Sequence, residues 1–219
     1  MKTMIVSIIA ACFCATSFCA KPAEATLITI AIEAVVDGVH DPDNDLEGLV
    51  NVGDLITGTY TYDTDTPDMD WLWGSESDIV ARYHYFNPPY GISLSVGGVD
   101  FKTDPANTSF LIEIVNDGSD DFYLVRSYNN LPLANGTSVN NIVWYLNDNY
   151  EDALQSTDLP ITAPILDDWA HNVLNVEGPG TRDNILFQAH VTSAVLIPEP
   201  GTILLLGIGA IALVRKVKK

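Results

Sequence analysis

The chain has 219 residues and a formal charge of −19, with 10 lysines and arginines against 29 aspartates and glutamates. This length allows one ordinary domain or two small ones. The acidic balance excludes nucleic-acid binding, which needs a basic face. Because 47% of the residues are apolar and only 18% are charged, the composition excludes an intrinsically disordered chain as well.

The N-terminal segment has the pattern of a secretory signal peptide. A lysine follows the first methionine, residues 4–18 are uncharged and mostly apolar, and residues 23–25 (Ala-Glu-Ala) form a small-x-small cleavage site. We predict a signal peptide over residues 1–25, with cleavage after Ala20 as an alternative. The apolar run has about 15 residues, fewer than the roughly 20 that span a bilayer. A lipoprotein signal at Cys12 is a further alternative.

The middle region, residues 26–197, is predicted to be a single acidic domain. Its four basic and 27 acidic residues give a formal charge of −23, and it contains no flexible linker or internal repeat. Short segments rich in Val, Ile, Thr, Tyr and Phe alternate between apolar and polar positions, which is typical of β-strands. The predicted strands are 26–36, 54–63, 79–86, 91–101, 109–116, 122–128, 141–146 and 185–197.

The arrangement of these segments predicts the fold class. No long segment of the region has helical periodicity, and residues 157–180 are predicted to form an ordered loop. Many short strands without long helices are typical of an antiparallel sandwich. We therefore predict an all-β fold, a single β-sandwich of jelly-roll type, flanked by the signal helix and by a C-terminal transmembrane helix.

Two acidic runs are candidate calcium sites. The first places Asp41, Asp43 and Asp45 at alternate positions, and Ca²⁺ prefers several carboxylate oxygens. It is not an EF-hand, because Leu46 replaces the required glycine and Val52 the required glutamate. The alternative is an acidic hairpin that increases solubility.

The second acidic run contains Asp63 and Asp65, which follow the predicted strand 54–63 directly. The same reasoning makes them candidate calcium ligands, and the alternative is a structural turn closed by their side chains. A third group, residues 117–121, contains three aspartates and is expected at a solvated hairpin tip. Calcium is the one cofactor that the sequence suggests.

Other binding and catalytic signals are weaker. Trp71 and Trp73 lie in a predicted loop and are candidates for stacking on sugar rings, although such residues also serve in packing. No thiol remains after signal removal, and the sequence has no phosphate-binding or dinucleotide-binding glycine motif. The four histidines are scattered without metal-ligand spacing: His40, His84, His171 and His190. We expect no enzymatic activity and no catalytic residues.

The C-terminal residues 198–219 form a separate module. Pro198, Glu199 and Pro200 precede an uncharged run over residues 202–214, and the chain closes on a basic cluster. Thirteen helical residues span about 20 Å, less than the roughly 30 Å hydrocarbon core, so a transmembrane helix here requires snorkelling and local thinning. The cluster predicts a cytoplasmic C-terminus and an exported middle domain. Its residues are Arg215, Lys216, Lys218 and Lys219.

This order of features resembles the PEP-CTERM sorting signal of Gram-negative bacteria, with an ordinary C-terminal anchor as the alternative. The resemblance implies recognition by an exosortase, cleavage near residues 198–200, and transfer from an inner-membrane precursor to the cell surface or to an exopolysaccharide matrix. We therefore expect a non-enzymatic protein of the cell envelope or biofilm matrix, with exosortase, membrane and polysaccharide as partners and no nucleic acid. The alternative is a secreted carbohydrate-binding or glycan-cleaving domain.

Overall fold

The computed structural model describes residues 27–69, 78–117, 120–149, 153–179 and 185–198. Within them it contains strands and one 3₁₀ turn, Leu166–Asp168. The strands are β1 (Leu27–Val39), β2 (Leu55–Asp63), β3 (Val80–Tyr85), β4 (Gly91–Val96), β5 (Val99–Lys102), β6 (Phe110–Asn116), β7 (Asp121–Ser127), β8 (Asn141–Asp148), β9 (His171–Glu177) and β10 (Ile185–Ile197).

Period-two alternation explains why these segments become strands. Along β1, Ile28, Ile30 and Ile32 are buried while the residues between them are partly exposed. Along β2, Tyr60 and Tyr62 are fully buried and the intervening threonines face outward. One face of each strand therefore enters the core, and burial of that face drives sheet formation.

All the described strand pairs are antiparallel and belong to one sheet. The order is β3-β6-β7-β8-β9-β10-β1-β2-β4-β5. The predicted all-β, antiparallel fold is confirmed. The predicted two-sheet sandwich of jelly-roll type is not confirmed, because the hydrogen-bonded ladder runs through ten strands without a break.

The sheet curls until its two halves face each other. β2 and β7 are five strand spacings apart, which would be about 24 Å in a flat sheet. Yet the hydroxyl oxygens of Tyr60 and Tyr123 lie 3.3 Å apart. The Trp144 ring meets the Tyr60 ring edge-on with 5.7 Å between centroids, and the Phe101 and Phe187 rings are 5.3 Å apart. The core thus lies inside one curled sheet.

The chain between β8 and β9 packs over part of this interior. The Tyr62 hydroxyl donates to the carbonyl of Pro160 at 2.6 Å, and the Tyr83 hydroxyl donates to that of Thr157 at 2.8 Å. Leu166 and Trp169 pack against the core cluster. The prediction of an ordered loop is therefore confirmed for the first part of residues 157–180 and wrong for the rest, where β9 pairs with both β8 and β10.

A second difference concerns the predicted strand 91–101. Gly97 and Gly98 have φ angles of +58° and +82°, so they form a tight hairpin turn that separates β4 from β5. A Cβ at Gly97 would also overlap the carbonyl oxygen of Leu49. The position requires glycine both for its backbone conformation and for this close approach.

The two terminal modules lie outside the described residues. These are the signal peptide over 1–25 and the transmembrane helix after Pro198. Within the residues that the structure describes, no helix is long and apolar enough to cross a membrane. The boundaries at 25 and 198 stay predictions, and Pro198 follows the last residue of β10 directly.

Candidate functional site

The first acidic run forms a turn held by its own carboxylates. Asp41 accepts hydrogen bonds from the backbone N–H groups of Asp45 and Leu46, at 2.6 and 2.8 Å. The Asp45 carboxylate accepts one from the Thr137 hydroxyl at 3.0 Å, and the buried Leu46 side chain anchors the turn to the core. Asp43 is exposed. Two of the three carboxylates therefore stabilise the loop.

The second acidic run closes a turn at the end of β2. Asp63 accepts a hydrogen bond from the backbone N–H of Asp65 at 2.9 Å, as an Asx-turn does. The other Asp63 oxygen accepts one from the Tyr90 hydroxyl at 3.3 Å. Asp65 is exposed. This arrangement is the structural turn, closed by an aspartate side chain, that the sequence offered as the alternative to calcium binding.

The two runs do not form a common site. Asp63 is the register partner of Leu27 at the start of β1, whereas Asp41 follows the other end of that 13-residue strand. Among the described residues no group of three or more His, Cys, Asp or Glu side chains is placed to hold a metal ion. Calcium binding by either run alone stays a prediction.

The other candidates are spread over the molecule. Trp71 and Trp73 lie outside the described residues. Of the histidines, His190 Nδ1 is 2.7 Å from Asp37 Oδ1 on the exposed face. His84 stacks on Phe86, and burial lowers the pKa of its imidazole. Among the described residues, the four histidines form no metal-binding group with other side chains.

An outward-facing cleft that the sequence reasoning missed lies against β2 and β4. It has a volume of about 280 Å³. Its polar lining combines the hydroxyls of Thr59, Thr61 and Ser93 with the ammonium group of Lys102. Pro88, Pro89 and Leu131 give it apolar walls. The outward threonines of β2 were visible in the sequence pattern, but their meeting with β4 and β5 depends on strand order.

The cleft is built by local close packing. Gly91 has a φ of +139°, and a Cβ there would approach within 2.6 Å of the Thr103 hydroxyl. The Thr103 hydroxyl oxygen lies 2.8 Å from that of Ser127 and accepts a hydrogen bond from the Ile92 N–H at 2.9 Å. The side chain of Lys102 pairs with Asp100 at 2.8 Å. These contacts hold four residues of the cleft lining in place: Gly91, Ile92, Lys102 and Thr103.

The chemistry of the cleft suits a neutral, hydroxylated ligand. Hydroxyl groups both donate and accept hydrogen bonds, and apolar walls accept the ring faces of a sugar. Tyr90 at its edge is held by Asp63, and burial, followed by the Asp63 charge, raises the pKa of its hydroxyl. Among the described residues that line the cleft there is no carboxylate or imidazole. The lining thus offers binding groups but no carboxylate pair for glycoside cleavage.

The comparisons with known proteins add one finding. Residues 196–219 match the family model of the PEP-CTERM protein-sorting motif. The match includes the last two residues of β10 and the predicted motif residues Pro198, Glu199 and Pro200 with the basic cluster. No curated protein and no solved structure matches the chain.

Proposed function

We infer that this chain, a PEP-CTERM sorting-motif protein by its residues 196–219, is exported and then processed by an exosortase at that motif. The match to the family model is the observation that carries this conclusion. It agrees with the predicted signal peptide, since an export signal and a C-terminal sorting motif describe one route out of the cytoplasm.

The motif adjoins the folded domain without a linker. It begins within the last two residues of β10, and Thr29 of β1 is the register partner of Ile197. Processing near residues 198–200 would therefore leave the sheet intact, because all ten strands end before the cleavage region. The released product is the acidic β-domain itself.

We propose that the mature domain acts at the cell surface or in the exopolysaccharide matrix, as a binding or structural component without enzymatic activity. Its formal charge of −23 over residues 26–197 suits a partner that contributes cations or neutral hydroxyl groups. In this proposal, calcium ions bridge the acidic turns of the domain and anionic polysaccharide.

The sorting step is tested by replacing Pro198, Glu199 and Pro200 together with alanine in the producing cell. We expect the wild-type chain to lose its C-terminal module, as read by intact mass, and to leave the membrane fraction. The variant should accumulate in that fraction as a full-length precursor. Deletion of the exosortase should give the same precursor, and normal processing of the alanine variant would contradict the inference.

A second candidate function, saccharide binding, is favoured by the hydroxyl-lined cleft. Neutral glycans on an array should bind the wild-type protein and bind Thr59→Val at least tenfold more weakly. Thr57→Val is the matched control, because Thr57 faces outward on the same strand but does not line the cleft. If both variants bind the glycans as strongly as the wild type, glycan binding in the cleft is contradicted. Loss on Trp71→Ala and Trp73→Ala would instead place the glycan at those residues.

A further inference from the structure

Two aspartates stand directly opposite each other where β7 begins and β8 ends. Asp121 and Asp148 are register partners in this antiparallel pair. Side chains at directly opposite positions share a face of the sheet, with Cβ atoms about 4.5–5.5 Å apart. Tyr123 and Leu146, two positions along each strand, are buried in the core. Both aspartates therefore point to the inner face.

Both carboxylates are withdrawn from water. Asp121 is 0% exposed and Asp148 is 4% exposed. Asp121 Oδ2 accepts a hydrogen bond from the backbone N–H of Leu154 at 2.7 Å. Asp121 Oδ1 is buried and accepts no hydrogen bond within the part of the chain that the structure describes. A buried carboxylate oxygen without a donor is costly, and a water molecule, a proton or a bound cation would lower that cost.

The described part of the chain supplies no positive side chain to this pair. Its three basic side chains are placed elsewhere: Arg82 with Glu113, Lys102 with Asp100, and Arg126 against the Tyr128 ring. Arg126 also lies on the opposite face of β7, because its parity differs from that of Asp121. Like charges directly opposite each other destabilise a sheet, so a cation bound from solution would stabilise this pair.

We propose that Asp121 and Asp148 bind a calcium ion at this corner of the sheet, with the unpartnered Asp121 Oδ1 as a ligand. The two side chains offer only oxygen atoms, which hard divalent cations prefer. Calcium accepts carboxylates in irregular geometry and completes its shell with water and backbone carbonyls, whereas magnesium demands a near-ideal octahedron. This site is separate from the acidic turns at residues 41–45 and 63–65, and it does not depend on the proposed sorting route.

The test uses the full-length chain, purified in detergent and stripped with EDTA. Thermal melting and calorimetric titration are run with CaCl₂, and with MgCl₂ and NaCl at matched ionic strength. We expect saturable calcium binding and a rise in Tm of about 5–10 °C at a hundredfold excess over Kd. Magnesium should give a smaller rise, and sodium none that saturates.

Two variants separate the site from general loss of structure. Asp148→Asn and Asp121→Asn should each remove one saturable calcium site from the titration and most of the rise in Tm. In EDTA, Asp148→Asn should melt no lower than the wild type, because the change removes a repulsive charge and keeps the side-chain shape. The control variant, Asp41→Asn combined with Asp43→Asn and Asp45→Asn, should retain the calcium response.

Three outcomes would overturn the proposal. Retention of the response in Asp121→Asn and Asp148→Asn, with loss in the control variant, would place calcium at the first acidic turn. Stabilisation of the wild type by acid without any calcium response would show that a proton, not a metal ion, relieves the pair. A non-saturable response shared equally by calcium and magnesium would indicate general screening of the domain's charge.

Discussion

The inner and outer faces of this sheet are built from different side chains, even within one strand. Along β2 the inward residues Tyr60 and Tyr62 are fully buried, while Thr57, Thr59 and Thr61 face outward. The inner aromatic groups join strands that are far apart in the sheet order. The hydroxyls of Thr59 and Thr61 line an open cleft. Along β2, the buried side chains are therefore concentrated on the inner face, whereas the outer face of β6, β7 and β8 carries a second, smaller apolar cluster.

The largest expected change in the free energy of unfolding comes from high pH, which acts on the tyrosines of the inner face. Burial raises the pKa of five inner tyrosines above 10, that of Tyr83 to about 12: Tyr60, Tyr62, Tyr83, Tyr85 and Tyr123. Above pH 10 the unfolded chain releases these protons and the folded chain retains them, so the free energy of unfolding falls. We expect stability to be unaffected by these groups below pH 9 and to decrease steadily from pH 10 upward.

Urea unfolding between pH 8 and pH 12, monitored by circular dichroism, checks this expectation. Tyr60→Phe keeps the buried ring but removes one ionisable group, so its stability should fall less steeply over the same interval. A wild-type stability that stays constant from pH 10 to pH 12 would contradict the assignment of these hydroxyls to a closed interior.

Removal of one inner aromatic ring should have the next largest effect. Trp144 is fully buried, meets the Tyr60 and Tyr123 rings edge-on, and donates from Nε1 to Asn172 at 3.0 Å. Trp144→Ala should cost about 3–5 kcal/mol of unfolding free energy. Tyr145→Ala, on the outer face of the same strand, should cost about 1 kcal/mol by urea unfolding. Equal losses of unfolding free energy in the two variants would contradict the expected difference between the inner and outer faces.

A smaller effect is expected at the hairpin turn that joins β4 to β5. Gly98→Ala forces a left-handed backbone on alanine in open space and should cost about 1–2 kcal/mol. Gly97→Ala adds overlap with the Leu49 carbonyl, so it should cost clearly more. The free energies of thermal unfolding of the two variants are compared directly. A larger loss for Gly98→Ala than for Gly97→Ala would mean that the turn does not approach the loop before β2.

The smallest effect is expected on the outer face. Thr57→Val and Thr59→Val change exposed or half-exposed hydroxyls on β2 and preserve β-branching. Each should change the unfolding free energy by no more than about 0.5 kcal/mol. A loss above 1 kcal/mol for Thr59→Val would show that the Thr59 hydroxyl contributes to the stability of the fold.

The alternation of apolar and polar residues predicted most strands and their inner faces, because it is a local property. β9 was missed for a physical reason. Its sequence contains Asn172 and Asn175, which disfavour a strand when read alone. In the fold, Asn172 uses its amide to hydrogen-bond both the N–H and the carbonyl of Val191, so a polar side chain continues the pairing with β10. That partner is distant in sequence.

The acidic residues show the same limit. Asp121 was expected at a solvated hairpin tip together with Asp117 and Asp120. Strand parity contained the missing information, since Asp121, Tyr123 and Val125 alternate onto one face. What parity could not provide is the register that sets Asp148 opposite Asp121. The sorting motif needed no tertiary information, because it is carried by linear order and was confirmed by the match over 196–219.

The pairing of Thr29 with Ile197 brings the two ends of the β-domain to the same place. β1 then runs 13 residues away from that point, a distance of about 40 Å. If the domain is tethered at its C-terminus, the turn at residues 41–50 therefore lies at the end of β1 that is farther from the tether. A partner that binds at that end of the domain would meet an acidic surface.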